Sequence, residues 1–307
     1  MVLLSSPRAL CSFSLALILG VTALAGPATA DNGDPVLPGV WRLSGSDPTL
    51  PTDDLKPLGK LIGNAEVVAL GESIHTSGGF YEMKHRIFRY LVEEKGFRVF
   101  AFENPWILSD AANQYVQTCQ GTPEDAVGLL SFYWQGAEVR NLLQWMCEWN
   151  QEHPKEKDRV HFMGFDIQSQ ARQDVTALVA FLGRIGVAAA DPLVTGLRRC
   201  DGVGQRFYPV VQYPEARYRE CEAALDGTEM LFAANEPSIV GQTSAEDLAW
   251  ARLHLVGQQA WQEQIYLYSR NNPQRWYEVR DEGMAYAFQA IRELRFPKEK
   301  VAIWAHN

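Results

Sequence analysis

Four short apolar runs stand at wide intervals along the chain, at residues 66–70, 98–102, 160–165 and 301–305. Each is rich in β-branched or aromatic side chains and lacks polar alternation, the pattern of a strand covered on both faces. The stretches between them carry a helical period. Phe80, Met83, Ile87 and Leu91 fall on one stripe, and Gly96 follows where a C′ glycine ends a helix. Val139, Leu142, Leu143, Met146 and Trp149 make a second stripe that closes before His153 and Pro154. Thr122-Pro123-Glu124-Asp125 has the N-cap and N1 proline of a helix start. Ser244-Ala245-Glu246-Asp247 opens a longer helix reaching toward Arg270, and residues 276–294 are again helical by pattern. Strands separated by helices pair in parallel and pack helices on their faces. The expected fold class is therefore α/β: a mostly parallel sheet flanked by helices, with a large helical region between the third and fourth strands.

The N-terminus changes the expected compartment. Arg8 precedes an apolar run from Ala9 to Leu24, and Gly26-Pro27-Ala28-Thr29-Ala30 supplies an Ala-x-Ala cleavage pattern before Asp31. Ser12 and Ser14 interrupt the run, which is short for a membrane span. Cys11 lies inside it, so no lipid anchor is indicated. Residues 1–30 thus read as a signal peptide, 31–57 as a Pro/Gly/Asp-rich extended lead-in, and 58–307 as the folded domain. The expected location is exported, periplasmic or secreted, with no membrane association after signal cleavage. The whole chain carries a net charge of −9, one unit more negative once Arg8 is removed, which disfavours nucleic acid as a partner.

Cys119, Cys147, Cys200 and Cys221 remain after cleavage. In an oxidising compartment an even count permits two disulfides, and Cys119–Cys147 with Cys200–Cys221 is the simplest of three connectivities. Four separate buried thiols are the alternative. No C-x-x-C and no Cys/His cluster of zinc-finger spacing is present, so no structural zinc is expected.

Each expected strand ends at or near an ionisable residue: Glu72, Glu103, Asp166 and His306. In an open parallel sheet the carboxyl ends of the strands share one edge, where the ligand crevice lies. Gly71-Glu72-Ser73-Ile74-His75 is the sharpest local feature. A carboxylate that fixes one imidazole nitrogen leaves the other free to take a proton from water. The same turn offers Ser73 as a nucleophile, but His75 stands where a nucleophile elbow needs its closing glycine. No His-Glu-x-x-His motif occurs.

These segments, with Phe80 to Arg86, Val92 to Arg98, Ala101-Phe102-Glu103, Gly164 to Gln168, Val279 to Ala285 and Ile303 to Asn307, resemble the erythromycin esterase family in sequence and order. The resemblance implies hydrolysis of an ester or lactone, macrolide lactones being the name-giving substrates, with no metal and no cofactor. It implies His75 as the base that activates water, Glu72 and Glu103 as site carboxylates, and His306 as the first histidine of a His-Asn-x-His motif cut after Asn307. That cut, and a last strand with no helix after it, give the expectation that the chain is incomplete at its C-terminus. Lys84, where some members carry Arg, is expected to hold substrate or oxyanion charge, with Asp166 and Arg280 as further substrate contacts. Asp166 equally suits a helix cap, and Arg280 with Asp281 an exposed charged pair. Two rival functions fit the same residues. One is a metal-dependent hydrolase with Glu72, His75, Glu103, Asp166 and His306 as ligands; the other is a non-enzymatic ligand- or haem-binding protein.

Overall fold

The computed structural model describes residues 40–168, 171–201 and 212–306. The signal-peptide reading, the first part of the lead-in and Asn307 lie outside the described residues. In chain order the elements are α1 (Lys56–Ile62), β1 (Val67–Glu72), α2 (Gly78–Lys95), β2 (Phe97–Pro105), α3 (Trp106–Thr118), α4 (Pro123–Gly128), a 3-10 turn at Phe132–Trp134 and α5 (Ala137–Glu152). They continue with β3 (His161–Asp166), α6 (Ala171–Arg184), α7 (Pro192–Cys200), α8 (Glu215–Gln242), α9 (Ala245–Ser269), α10 (Pro273–Arg295) and β4 (Lys300–His306).

The expected helix signals act where they stand. Gly96 holds φ 73° just beyond α2, a left-handed conformation that favours glycine. The Thr122 and Ser244 side chains accept the backbone N–H of Asp125 and Asp247, closing the first turns of α4 and α9. The helices from α6 to α10 form the expected region between the third and fourth strands.

The four strands pair in parallel in the order β1-β4-β2-β3, so the last strand inserts between the first two. β2 is buried on both faces: Phe100 and Phe102 pack with α2 and α5, while Val99 and Ala101 pack with α9 and α10. The expectation that every strand is covered on both faces fails at β1. Val68, Leu70 and Glu72 are buried while Ala69 and Gly71 are exposed, because β1 lies at the sheet edge and α2 side chains cover one face only. A second apolar cluster joins α6, α7, α8 and α9, and contains Cys200 and Cys221.

Both expected disulfides are present. Cys119–Cys147 ties the end of α3 to α5, and Cys200–Cys221 ties α7 to α8, with Cα separations of 5.5 and 5.3 Å. Among the described residues no helix is long and apolar enough to cross a membrane.

Candidate active site

The strand order brings the four strand ends to one edge. Glu72 closes β1 and sits in register with His306 at the end of β4. β2 runs past its expected end, and its pairing with β3 shifts between Phe102 and Pro105. Glu103 lies within that irregularity, the kind of ladder disruption that re-aims a side chain. Gly164 of the neighbouring strand is required here, since a Cβ at that position would lie 2.3 Å from the Asn104 carbonyl oxygen.

Glu72 is 3% exposed and is held from three directions. Its Oε1 lies 2.7 Å from His75 Nδ1, and its Oε2 accepts from Lys84 Nζ at 2.9 Å and from the Trp304 indole N–H at 2.8 Å. A neutral imidazole that donates from Nδ1 to this carboxylate keeps Nε2 as its acceptor nitrogen. Lys84 is buried, lies 4.5 Å from the Trp304 ring centroid, and is pushed down to about 8 by burial against the opposing pull of Glu72. Lys84 thus pairs with the same carboxylate that holds His75.

The His75 ring lies 5.0 Å from the His306 ring, 4.9 Å from Tyr133 and 5.3 Å from Trp134. Ser73 is exposed and makes no hydrogen bond to His75 among the described residues. Along the same strand-end edge Arg280 reaches from α10 to donate to Glu103 Oε1 at 2.5 Å and to Asp166 Oδ2 at 2.9 Å. Burial works against its charge, but Asp166 and Glu103 hold the guanidinium above its ordinary value. Glu103 Oε2 also accepts the His306 backbone N–H at 2.8 Å, so one carboxylate links α10, β2 and β4. Asp166 additionally accepts the Gln168 N–H at 3.1 Å. Arg280 is thus a partly buried bridge between two buried carboxylates rather than half of an exposed pair with Asp281.

All seven residues singled out from the sequence stand around this strand-end edge. His75 faces His306, Glu72 and Lys84 support His75, and Glu103, Asp166 and Arg280 form the adjoining cluster. Sequence reasoning missed the roles of Trp304, Tyr81 and Tyr133. The Tyr81 hydroxyl accepts the Thr76 N–H at 3.0 Å and donates to the Tyr133 carbonyl at 3.1 Å, tying the His75 turn to the 3-10 turn. The one available signal was parity, since Trp304 precedes His306 by two positions on the same strand. Among the described residues no group of three His, Cys, Asp or Glu side chains is arranged to hold a metal ion.

Residues 92–307 match the family profile "Erythromycin esterase", well over half of the chain. The chain belongs to the erythromycin esterase family. It is 34% identical to the erythromycin esterase type II of Escherichia coli over 115 residues, covering 38% of this chain and 26% of that protein. It is 25% identical over 266 residues to YbfO of Bacillus subtilis (strain 168), named a hydrolase by inference, covering 83% of this chain and 58% of that one. A mutant of the erythromycin esterase EreC in its open conformation has the same fold, with a TM-score of 0.69 at 17% identity, covering 87% of this chain and 67% of that structure. The chain therefore spans between about a quarter and three-fifths of the lengths of these two curated relatives. The family match begins at Val92, after the Glu72–His75 segment.

Proposed function

We propose that this member of the erythromycin esterase family hydrolyses carboxylic esters, lactones included, by attack of water activated at His75. The single observation that supports the reading most is the Glu72–His75 pair, in which a buried carboxylate holds Nδ1 and leaves Nε2 as the nitrogen able to take a proton.

In this reading a water oxygen bonds to the ester carbonyl carbon while its proton passes to His75 Nε2. Glu72 stabilises the imidazolium that forms, and its own position is maintained by Lys84 and Trp304. The carbonyl oxygen takes up negative charge, which in this reading the His306 ring, 5.0 Å from the His75 ring, stabilises. The carbon–oxygen bond to the leaving group then breaks, and His75 returns its proton to the departing alkoxide. The products are a carboxylic acid and an alcohol, or a hydroxy acid where the substrate is a lactone. Export through residues 1–30 and inactivation of a macrolide antibiotic belong to the same proposal, supported by the leader pattern, two disulfides and the name of the E. coli relative.

The test is hydrolysis of a panel of lactones and simple esters by residues 31–307 and by the His75→Asn variant, each assayed with and without a chelator. Loss of the general base lowers turnover by about two to four orders of magnitude. A variant that keeps more than about a tenth of wild-type turnover ends the assignment of His75 as base. Loss of activity on chelation, restored by added metal, favours the metal-dependent reading instead.

A further inference from the structure

Three large apolar side chains close to His75 in the chain or in space are exposed. Phe132 is 72% exposed, Tyr133 42% and Ile74 58%, large apolar side chains that a chain ordinarily turns inward. The Phe132 and Tyr133 rings lie tilted against each other with centroids 3.8 Å apart, Tyr133 lies 4.9 Å from the His75 ring, and Ile74 immediately precedes His75. The turn that carries the two rings is anchored on every side. The Ser131 N–H donates to Asn104 Oδ1 at 2.9 Å, the Trp134 indole donates to the Glu103 carbonyl at 3.1 Å, and the Tyr81 hydroxyl donates to the Tyr133 carbonyl. Asn104 and Trp134 are buried, so two rings facing solvent are held by interior groups attached to the same strand end as the site carboxylates. Of the charged groups around these side chains, Glu72 is engaged with His75, Lys84 and Trp304, and Glu103 with Arg280 and the His306 N–H, while the Glu138 carboxylate, packed beside Gly78 and Gly136, disfavours an anionic arm.

We infer that Phe132, Tyr133 and Ile74 form a platform that takes the hydrophobic acyl arm of an uncharged ester and sets its carbonyl beside His75. The inference rests on the ester-hydrolase reading and adds a substrate class to it: neutral esters of medium or long apolar acids, in preference to acetates and to charged acids. Each methylene laid on the rings leaves water, and full burial of one strengthens binding by roughly threefold to fourfold. An exposed platform yields part of that.

The experiment compares kcat/KM of residues 31–307 on the para-nitrophenyl acetate, butyrate, hexanoate and octanoate series with that of Phe132→Ala and Ile74→Ala. Both side chains are largely exposed, and unchanged thermal melting confirms that each variant folds. The expected result is a wild-type kcat/KM that climbs along the series through a falling KM, and an octanoate-to-acetate ratio reduced about tenfold in Phe132→Ala, with Phe132→Trp restoring it. An octanoate-to-acetate ratio equal to wild type in both alanine variants overturns the platform. Binding of methyl octyl ketone, which has the carbonyl but no ester to cleave, separates this inference from the reading beneath it. If no ester is hydrolysed but the ketone binds and Phe132→Ala weakens it, the platform stands and the hydrolase reading falls. If the ketone fails to bind, or binds both proteins equally, the platform falls whatever the turnover.

Discussion

Trp304 donates its indole N–H to Glu72 from a position 232 residues further along the chain, at 2.8 Å. That bond reaches Oε2, while Oε1 holds His75 Nδ1 at 2.7 Å, so the tryptophan sets the carboxylate that sets the base. Hydrogen bonds to charged groups contribute about 1.5–3 kcal/mol. Trp304→Phe is expected to lower kcat on any ester substrate about tenfold with a smaller change in KM. Steady-state kinetics alongside circular dichroism checks this. An unchanged kcat in a folded variant means that Lys84 and His75 suffice to orient Glu72.

Removing the Arg280 bridge leaves Glu103 and Asp166 buried without their cation. Truncating one partner of a buried charged pair costs about 3–5 kcal/mol, so Arg280→Met is expected to lose stability of that order in urea denaturation. Glu103→Gln should also destabilise, because Glu103 anchors both Arg280 and the His306 N–H. This sets it apart from Glu72→Gln, whose main effect should fall on turnover. A Glu103→Gln variant as stable as wild type would show that the cluster holds together through Asp166 alone.

His85 is buried in α2 beside Trp145, its Nε2 has no hydrogen-bond partner among the described residues, and burial pushes it down to about 3, with Arg89 acting in the same direction and Asp47 against. The unfolded chain takes up its proton near 6.5 while the folded protein does not. Folding stability is therefore unaffected by His85 well above 6.5 and falls as pH drops from 6.5 toward 3. Between about pH 7 and pH 5 the expected loss is about 2 kcal/mol from this residue. Chemical denaturation at the two pH values should show a smaller difference in His85→Gln than in wild type; equal differences would mean that other groups dominate acid unfolding.

The disulfides close loops with sequence separations of 28 and 21 residues. Loop-closure arguments assign each about 3 kcal/mol. Non-reducing peptide mapping should recover Cys119 with Cys147 and Cys200 with Cys221, and paired Cys200→Ala and Cys221→Ala substitutions should loosen α7 and α8 ahead of the sheet in hydrogen exchange. Four freely alkylated thiols in the native protein would overturn both links.

The elements were largely legible because their signals are local. The α2 stripe and Gly96, the Thr122 and Ser244 caps, and the four apolar runs all encode structure within a few residues of themselves. The cysteine pairs were legible because each joins neighbours in the chain. Less visible were α3, α6, α7 and α8, and the lengthening of β2 to Pro105. Some of these helices carry their apolar faces against one another rather than against the sheet, and no strong start or stop residue marks the others.

By itself the sequence determined an α/β chain with ionisable residues at its strand ends, since periodicity and strand termini are written residue by residue. The tertiary structure decided which of those ends meet. Only the insertion of β4 between β1 and β2 puts His306 opposite His75 and Trp304 against Glu72. Only the packing of α10 on β3 delivers Arg280 to Glu103 and Asp166, making a bridge of what the sequence left as a choice between substrate contact and exposed pair. The same order leaves Ala69 and Gly71 exposed on a strand whose composition suited full burial. Strand order and helix docking follow from the free energy of contacts summed over the whole core, between residues hundreds of positions apart, and no local pattern records that sum.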